Sequence, residues 1–293
     1  MVEAKPPSPQ RAANQLVKLV DAVSAAHNEN RFPMNVTRLA LGVADIFKAR
    51  DPIASVNAAN LSKKFEGALV PNDAKNKWLL LYNEAIRSPG RIRFTQAHEL
   101  GHWILHRMLR GEFHCTAHDM LNWSPDEADI EAQADLFASY LLMPMDDFRN
   151  QIGITDQVDL EMISACAERY GVSLTAAVLK WLQFTDQSAL VVMSRDGYMD
   201  WAWSSERARK AGAFFKTKGN VIELPAGSLA ADSAVDSDKK GRTLPMTTWF
   251  PHADTAAPVR EMKIHAKHYD MVLTLLCLPK YATAWPPWQQ AEQ

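Results

Sequence analysis

Five of the nine histidines fall between positions 98 and 118, and two of them bracket the run His98-Glu99-Leu100-Gly101-His102. On an α-helix, residues four apart differ by roughly 40° about the axis. Both imidazoles therefore leave one face, one turn apart, and can share an ion. Glu99 stands about 100° round from His98 and reaches the open coordination position instead. Catalytic zinc takes neutral imidazole ligands and keeps a fourth position open for water. A carboxylate beside that position can take a proton from the water and pass it to a leaving amine. The run is the H-E-x-x-H pattern, with Glu99 as the expected general base. Its flanks Phe94, Ala97, Leu100, Ile104 and Leu105 are apolar, which predicts a buried helix. Two imidazoles and a carboxylate inside a core need something to satisfy them, and a metal ion does so.

A third protein ligand is expected from the helix that opens at Ser124. Ser124 is a good N-cap, Pro125 suits the first helical position, and Glu127 completes a capping box. The acids available are Asp126, Glu127, Asp129, Glu131 and Asp135. The cap and the helix dipole account for Asp126 and Glu127. Glu131 lies among Ala128, Ala132 and Ala134, small residues that let two helices approach closely, and Asp135 follows one turn later on the same face. Glu131 is therefore read as the ligand, and Asp135 as a carboxylate that orients a ligand histidine. The competing reading is a solvated acidic face. His106 continues the face of His102 and is read as a supporting or structural residue. Thr95 shares that face and could bond a ligand or the water. His114, Cys115 and His118 cluster in an expected loop, as ordinary loop side chains or, alternatively, as a second metal site or a thiolate capping the zinc.

Several elements must position these groups. Helical periodicity predicts Gln10 to His27 and Val36 to Lys48. Short strands are expected at 53–57 and 65–70, and the clearest strand at 77–83, where Leu80 and Tyr82 could hold a substrate backbone by strand addition. Ser88-Pro89-Gly90 reads as a turn, and the active helix as Ile92 to Leu109. The helix from Ser124 ends at Met143, before Pro144. Leu160–Tyr170 and Ser173–Phe184 are predicted helices. Beyond Thr185 the pattern changes to strands at 189–193, 221–224 and 271–278. The fold class is thus α+β. A disordered lead (1–10) precedes a first domain (11–185) with a helical end, and a smaller β-rich domain (186–293) follows.

With 293 residues and 47% hydrophobic content, the chain can bury a full core. Its 32 basic and 34 acidic residues give a net charge of −2, so no acidic polymer is advertised as a partner and direct DNA binding is not expected. No apolar stretch approaches the roughly 20 residues of a membrane span. The first ten residues carry no apolar signal core, and three widely spaced cysteines fit a reducing cytoplasm.

The stretches Phe94 to His102, Leu105-His106, Glu131 through Ala134-Asp135, Phe137-Ala138 and Leu141 to Pro144 resemble the ImmA/IrrE metallopeptidases. Phe65-Glu66-Gly67-Ala68-Leu69 and Tyr82-Asn83 do so as well. The resemblance spans roughly 33–184. It implies a minimal zincin-like fold with one zinc held by His98, His102 and Glu131, Glu99 as base, and a bacterial or phage cytoplasmic origin. It also implies a role in cleaving helix-turn-helix repressors to derepress mobile-element or stress genes. Two positions depart from the family pattern: a common glutamate is Gln133 here, and a common asparagine is Asp135.

Two other readings stand beside the peptidase. Residues 165–182, with a turn at Gly171, look like a helix-turn-helix, but the second helix offers only Thr175, Lys180 and Gln183 to a DNA groove and is otherwise apolar. A zinc protein that binds a repressor without cutting it would keep the same ligands. Tyr82, Tyr140, His106 and His118 are the candidate oxyanion stabilisers, and Trp201 and Trp203 are expected in the core of the second domain or, alternatively, on a binding surface. Oligomeric state is not legible in the sequence.

Overall fold

The computed structural model describes residues 7–109, 111–116, 125–153, 157–254, 256–267 and 270–284, with backbone alone for 114–116 and 125–128. These residues form an α+β protein with eight α-helices and two sheets. The chain divides into two compact units. Met1–Phe148 with Ala167–Ser173 make the first, and Arg149–Cys166 with Leu174–Gln293 the second. The predicted helical end of the first domain is thereby shared out: only 167–173 group with the first unit. Among the described residues no helix is long and apolar enough to cross a membrane.

In the first unit, α1 (Pro9–His27) and α2 (Val36–Phe47) are capped by Ser8 and Asn35, whose side chains accept from Arg11 and Arg38 backbone N–H groups. Helix α1 thus starts inside the expected disordered lead, because Ser8 and Pro9 form a helix start. The strands β1 (Ile53–Ala59), β2 (Phe65–Pro71), β3 (Trp78–Asn83) and β4 (Phe113–Thr116) form a mixed sheet in the order β1-β3-β2-β4. Strand β3 pairs parallel with β1 and antiparallel with β2. It is an interior strand, with Leu80 fully buried. The expected strand addition at Leu80 and Tyr82 is therefore corrected: both backbone edges of β3 are already bonded. Asn83 closes the strand by donating to the carbonyls of Leu61, Ser62 and Phe65.

Helix α3 (Pro89–Leu105) packs on β2 and β3, and α4 (Pro125–Leu142) packs on α3 and α1. Ser88-Pro89, expected as a turn, is the start of α3: Ser88 accepts from the Arg91 N–H, and Pro89 occupies the first turn. The helix ends at Leu105, short of the expected Leu109, and His106 is its C-cap with φ −125°. Every residue from Thr95 to Leu105 is buried. Such all-round burial belongs to a helix enclosed by its neighbours. His114 and Cys115, expected in a loop, lie in strand β4, which pairs with β2. Ser124, the expected cap of α4, and His118 lie outside the described residues. Helix α5 (Met145–Gln151) follows Pro144.

In the second unit, α7 (Leu174–Phe184) buries Ala177, Val178, Lys180, Trp181 and Leu182 and packs on β5 (Ser188–Arg195). Of the three side chains offered to a DNA groove, Lys180 is committed to this core, Thr175 is partly buried and Gln183 is exposed. Helix α6 (Leu160–Tyr170) straddles the division between the units. The second sheet adds β6 (Tyr198–Ser204), β7 (Ser237–Pro245), β8 (Pro258–Ala266) and β9 (Met271–Leu278) in the antiparallel order β6-β5-β9-β8-β7. Residues 221–224 are not the expected strand; they contribute one isolated bridge, Tyr198 to Glu223. Trp203 is not core but about half exposed (54%). Between β6 and β8 lie α8 (Glu206–Lys210), β7 and polar segments. Buried Glu261 on β8 anchors two points of this stretch, accepting from the Ala230 backbone N–H at 2.6 Å and from Trp249 Nε1 at 2.8 Å.

Candidate metal centre

Helices α3 and α4 cross closely at Gly101. A methyl group added there would stand 3.3 Å from Ala134 Cα and 3.0 Å from the Phe137 ring. Glycine facing alanine lets the backbones approach and brings the acids of α4 within reach of the histidines of α3. Of the small residues singled out in the sequence, Ala134 makes this approach, whereas Ala132 is exposed.

Three side chains converge there. His98 Nε2 lies 3.0 Å from His102 Nε2 and 2.9 Å from Glu131 Oε2, and Glu131 Oε1 lies 3.4 Å from His102 Nε2. Tetrahedral zinc, with bonds of about 2.0–2.1 Å, sets its ligand atoms roughly 3.3 Å apart. The three groups offer two imidazole nitrogens and one carboxylate, all within 4.8 Å of one another. Two ring nitrogens facing each other at 3.0 Å need a proton or a cation between them, so the donor set and the spacing both fit a divalent metal. Both histidines are buried, and Glu131 is largely so.

Each of the two histidines has a further partner. Asp135 Oδ1 stands 2.8 Å from His98 Nδ1, which fixes the proton on Nδ1 and aims the Nε2 lone pair at the centre. His102 Nδ1 faces His106 Nδ1 at 3.1 Å, and His106 Nε2 faces Gln133 Oε1 at 3.3 Å. Phe113 of β4 stacks on the His102 ring, with centroids 4.5 Å apart and planes 16° off parallel. Burial pulls the His98 pKa down, but hydrogen bonds to Asp135 and Glu131 more than offset it and raise it to about 10. Burial dominates at His102, whose pKa falls to about 4. Burial alone would raise the Glu131 pKa; the two histidines reverse this and hold the carboxyl well below the usual range, so it is ionised.

Glu99 is fully buried on α3, against the backbone of β2. A methyl group on Gly67 would lie 2.4 Å from Glu99 Oε1 and 2.6 Å from Thr95 Cγ2. Gly67 is a residue that reading the sequence for chemistry missed. Its signal was present, since a glycine inside a strand marks a close approach of backbone to something else. Thr95 is buried, but its hydroxyl has no hydrogen-bond partner among the described residues, so the expected bond to a ligand histidine is absent. Of the four oxyanion candidates, His106 is engaged with His102 and Gln133, Tyr82 and Tyr140 are half-buried, and His118 lies outside the described residues.

Residues 55–182 match the family model described as Peptidase_M78, IrrE N-terminal-like domain. Over that stretch, less than half of the chain, the sequence is similar to the ImmA/IrrE family of metallopeptidases. No curated protein matches the chain.

Proposed function

We propose that the protein is a zinc endopeptidase of the cytoplasm. Its substrate class is the helix-turn-helix transcriptional repressor, and the consequence of cleavage is derepression of mobile-element or stress genes. The observation that carries the peptidase reading is the convergence of His98, His102 and Glu131, with Glu99 buried on the same helix. The repressor as substrate rests on the family resemblance. Helix α3 laid against a small mixed sheet is consistent with a minimal zincin-like domain.

His98, His102 and Glu131 would hold the ion. When bound, zinc supplies a Lewis acid that polarises the scissile carbonyl and makes water acidic near neutral pH. The rest falls to the chain. Glu99 removes the proton from the attacking water and delivers it to the departing amine. Packing against Gly67 holds its carboxylate in place. Asp135 keeps His98 in the tautomer that binds metal. The substrate backbone would add not to β3 but to β4, an edge strand whose Phe113 lies on the His102 ring.

The test is metal content by elemental analysis together with cleavage of a panel of helix-turn-helix repressors, using wild type, His98→Ala and Glu99→Gln. About one zinc per chain is expected in wild type, lost in His98→Ala and retained in Glu99→Gln. Cleavage should disappear in both variants. A Glu99→Gln protein that still cuts would end the proposed role of Glu99. Zinc bound in wild type without cleavage of any repressor would favour a regulator that binds its partner without cutting it.

A further inference from the structure

One chain of polar contacts at the centre runs away from the metal ligands and ends on a carboxylate. Gln133 Nε2 lies 2.7 Å from Asp129 Oδ2, and Gln133 Oε1 faces His106 Nε2 at 3.3 Å. His106 Nδ1 then faces His102 Nδ1 at 3.1 Å. His102 is fully buried and His106 nearly so.

An ionised carboxylate only accepts hydrogen bonds, so the Gln133 amide must present its NH2 to Asp129. Its carbonyl oxygen then faces His106 and requires a proton on His106 Nε2. That leaves His106 Nδ1 as an acceptor, which requires the proton of His102 on Nδ1. The remaining lone pair of His102 sits on Nε2, the atom that points at His98 and Glu131. Each link decides the next, and the sequence of donors and acceptors has one consistent direction.

We infer that Asp129, Gln133 and His106 form a positioning relay that fixes the tautomer and ring orientation of His102 for metal binding. The inference rests on the reading of His98, His102 and Glu131 as metal ligands. It gives the two ligand histidines separate supports: Asp135 contacts His98 directly, whereas Asp129 acts on His102 through an amide and a second imidazole. Burial makes the relay matter, because no water can re-satisfy His102 Nδ1 once its partner is lost.

The experiment measures the zinc dissociation constant by competition with a chromophoric chelator. It compares wild type, Gln133→Leu, Gln133→Glu and Asp129→Ala, with the thermal melt of each metal-free protein as a control. Gln133→Leu should weaken zinc 10- to 100-fold, the range for partners that orient metal ligands. Its cobalt-substituted form should show an altered visible spectrum as the His102 ring turns. Gln133→Glu keeps an acceptor for His106, and the exposed Asp129 side chain can turn into solvent away from the new carboxylate, so this variant should stay close to wild type. Asp129→Ala, an exposed substitution, should weaken zinc by a smaller factor in the same direction, and it carries the test if Gln133→Leu does not fold. Wild-type affinity in both Gln133→Leu and Asp129→Ala, or a Gln133→Glu protein as weak as Gln133→Leu, overturns the relay while leaving the metal centre standing. A wild-type protein that binds no zinc overturns the metal centre and the relay together.

Discussion

His98 meets two carboxylates, Asp135 at Nδ1 and Glu131 at Nε2, and this double contact has opposite consequences with and without metal. In the metal-free fold the pKa of His98 is raised to about 10. The protonated ring therefore stabilises that fold fully below pH 6.5, and this contribution is lost as pH rises through about 10. Metal binding needs the ring neutral, so the ion must displace the proton held between His98 and Glu131. Zinc affinity is accordingly expected to rise with pH by about tenfold per unit between pH 7 and 9. Competition titrations across that range in a non-chelating buffer check it, and an affinity independent of pH would show that His98 is already neutral. His102, its pKa lowered to about 4 by burial, adds nothing to this slope.

At the level of elements, two glycines determine how closely three backbones approach. Gly101 sets the crossing of α3 and α4, and Gly67 sets the approach of β2 to Glu99. Gly67 lies in β2 beside a register shift against β4, and its φ is not in the left-handed region, so alanine there conflicts with neighbouring side chains and not with its own main chain. Its methyl group would press on Thr95 and displace the Glu99 carboxylate, and none of the three candidate metal-binding groups is among its nearest neighbours. Gly67→Ala is therefore expected to retain zinc and to lose at least about tenfold in kcat, since a well-placed general base contributes about 10²–10⁴. Metal analysis and steady-state kinetics on the same preparation decide the matter; an unchanged kcat would mean that Glu99 works from another position.

For the whole molecule, each unit has its own core. One is built around Leu16, Leu69, Leu100, Trp103 and Phe137, and the other around Leu190, Val192, Trp249 and Leu276. The three candidate metal-binding groups all belong to the first unit. A ligand that binds only the native state stabilises it by about 4 kcal/mol at a thousandfold excess over Kd. Calorimetry should resolve two transitions, and a strong chelator should lower one by several degrees, at about 2–4 °C per kcal/mol for units of this size. The other transition should not move. A shift of both by the same amount would show that the units unfold as one.

The local parts of this protein were legible in its sequence. His98, Glu99 and His102 lie within five residues, and helical geometry alone puts them together. Glu131 and Asp135 share a helix face for the same reason, next to the small Ala134 that marks the crossing. Strand β9 and the helices α2 and α6 fall nearly where periodicity places them, because each is a repeat of near neighbours. Tertiary structure alone decided which strand lies inside. Trp78–Asn83 pairs with β1 and β2, and a parallel pairing with β1 depends on contacts that no local pattern encodes. The same holds for Phe113 against His102, Gly67 against Glu99, and the path from His106 to Gln133 and Asp129. Each joins elements that are remote in the chain, and close packing around a buried site, not residue type, brings them into contact.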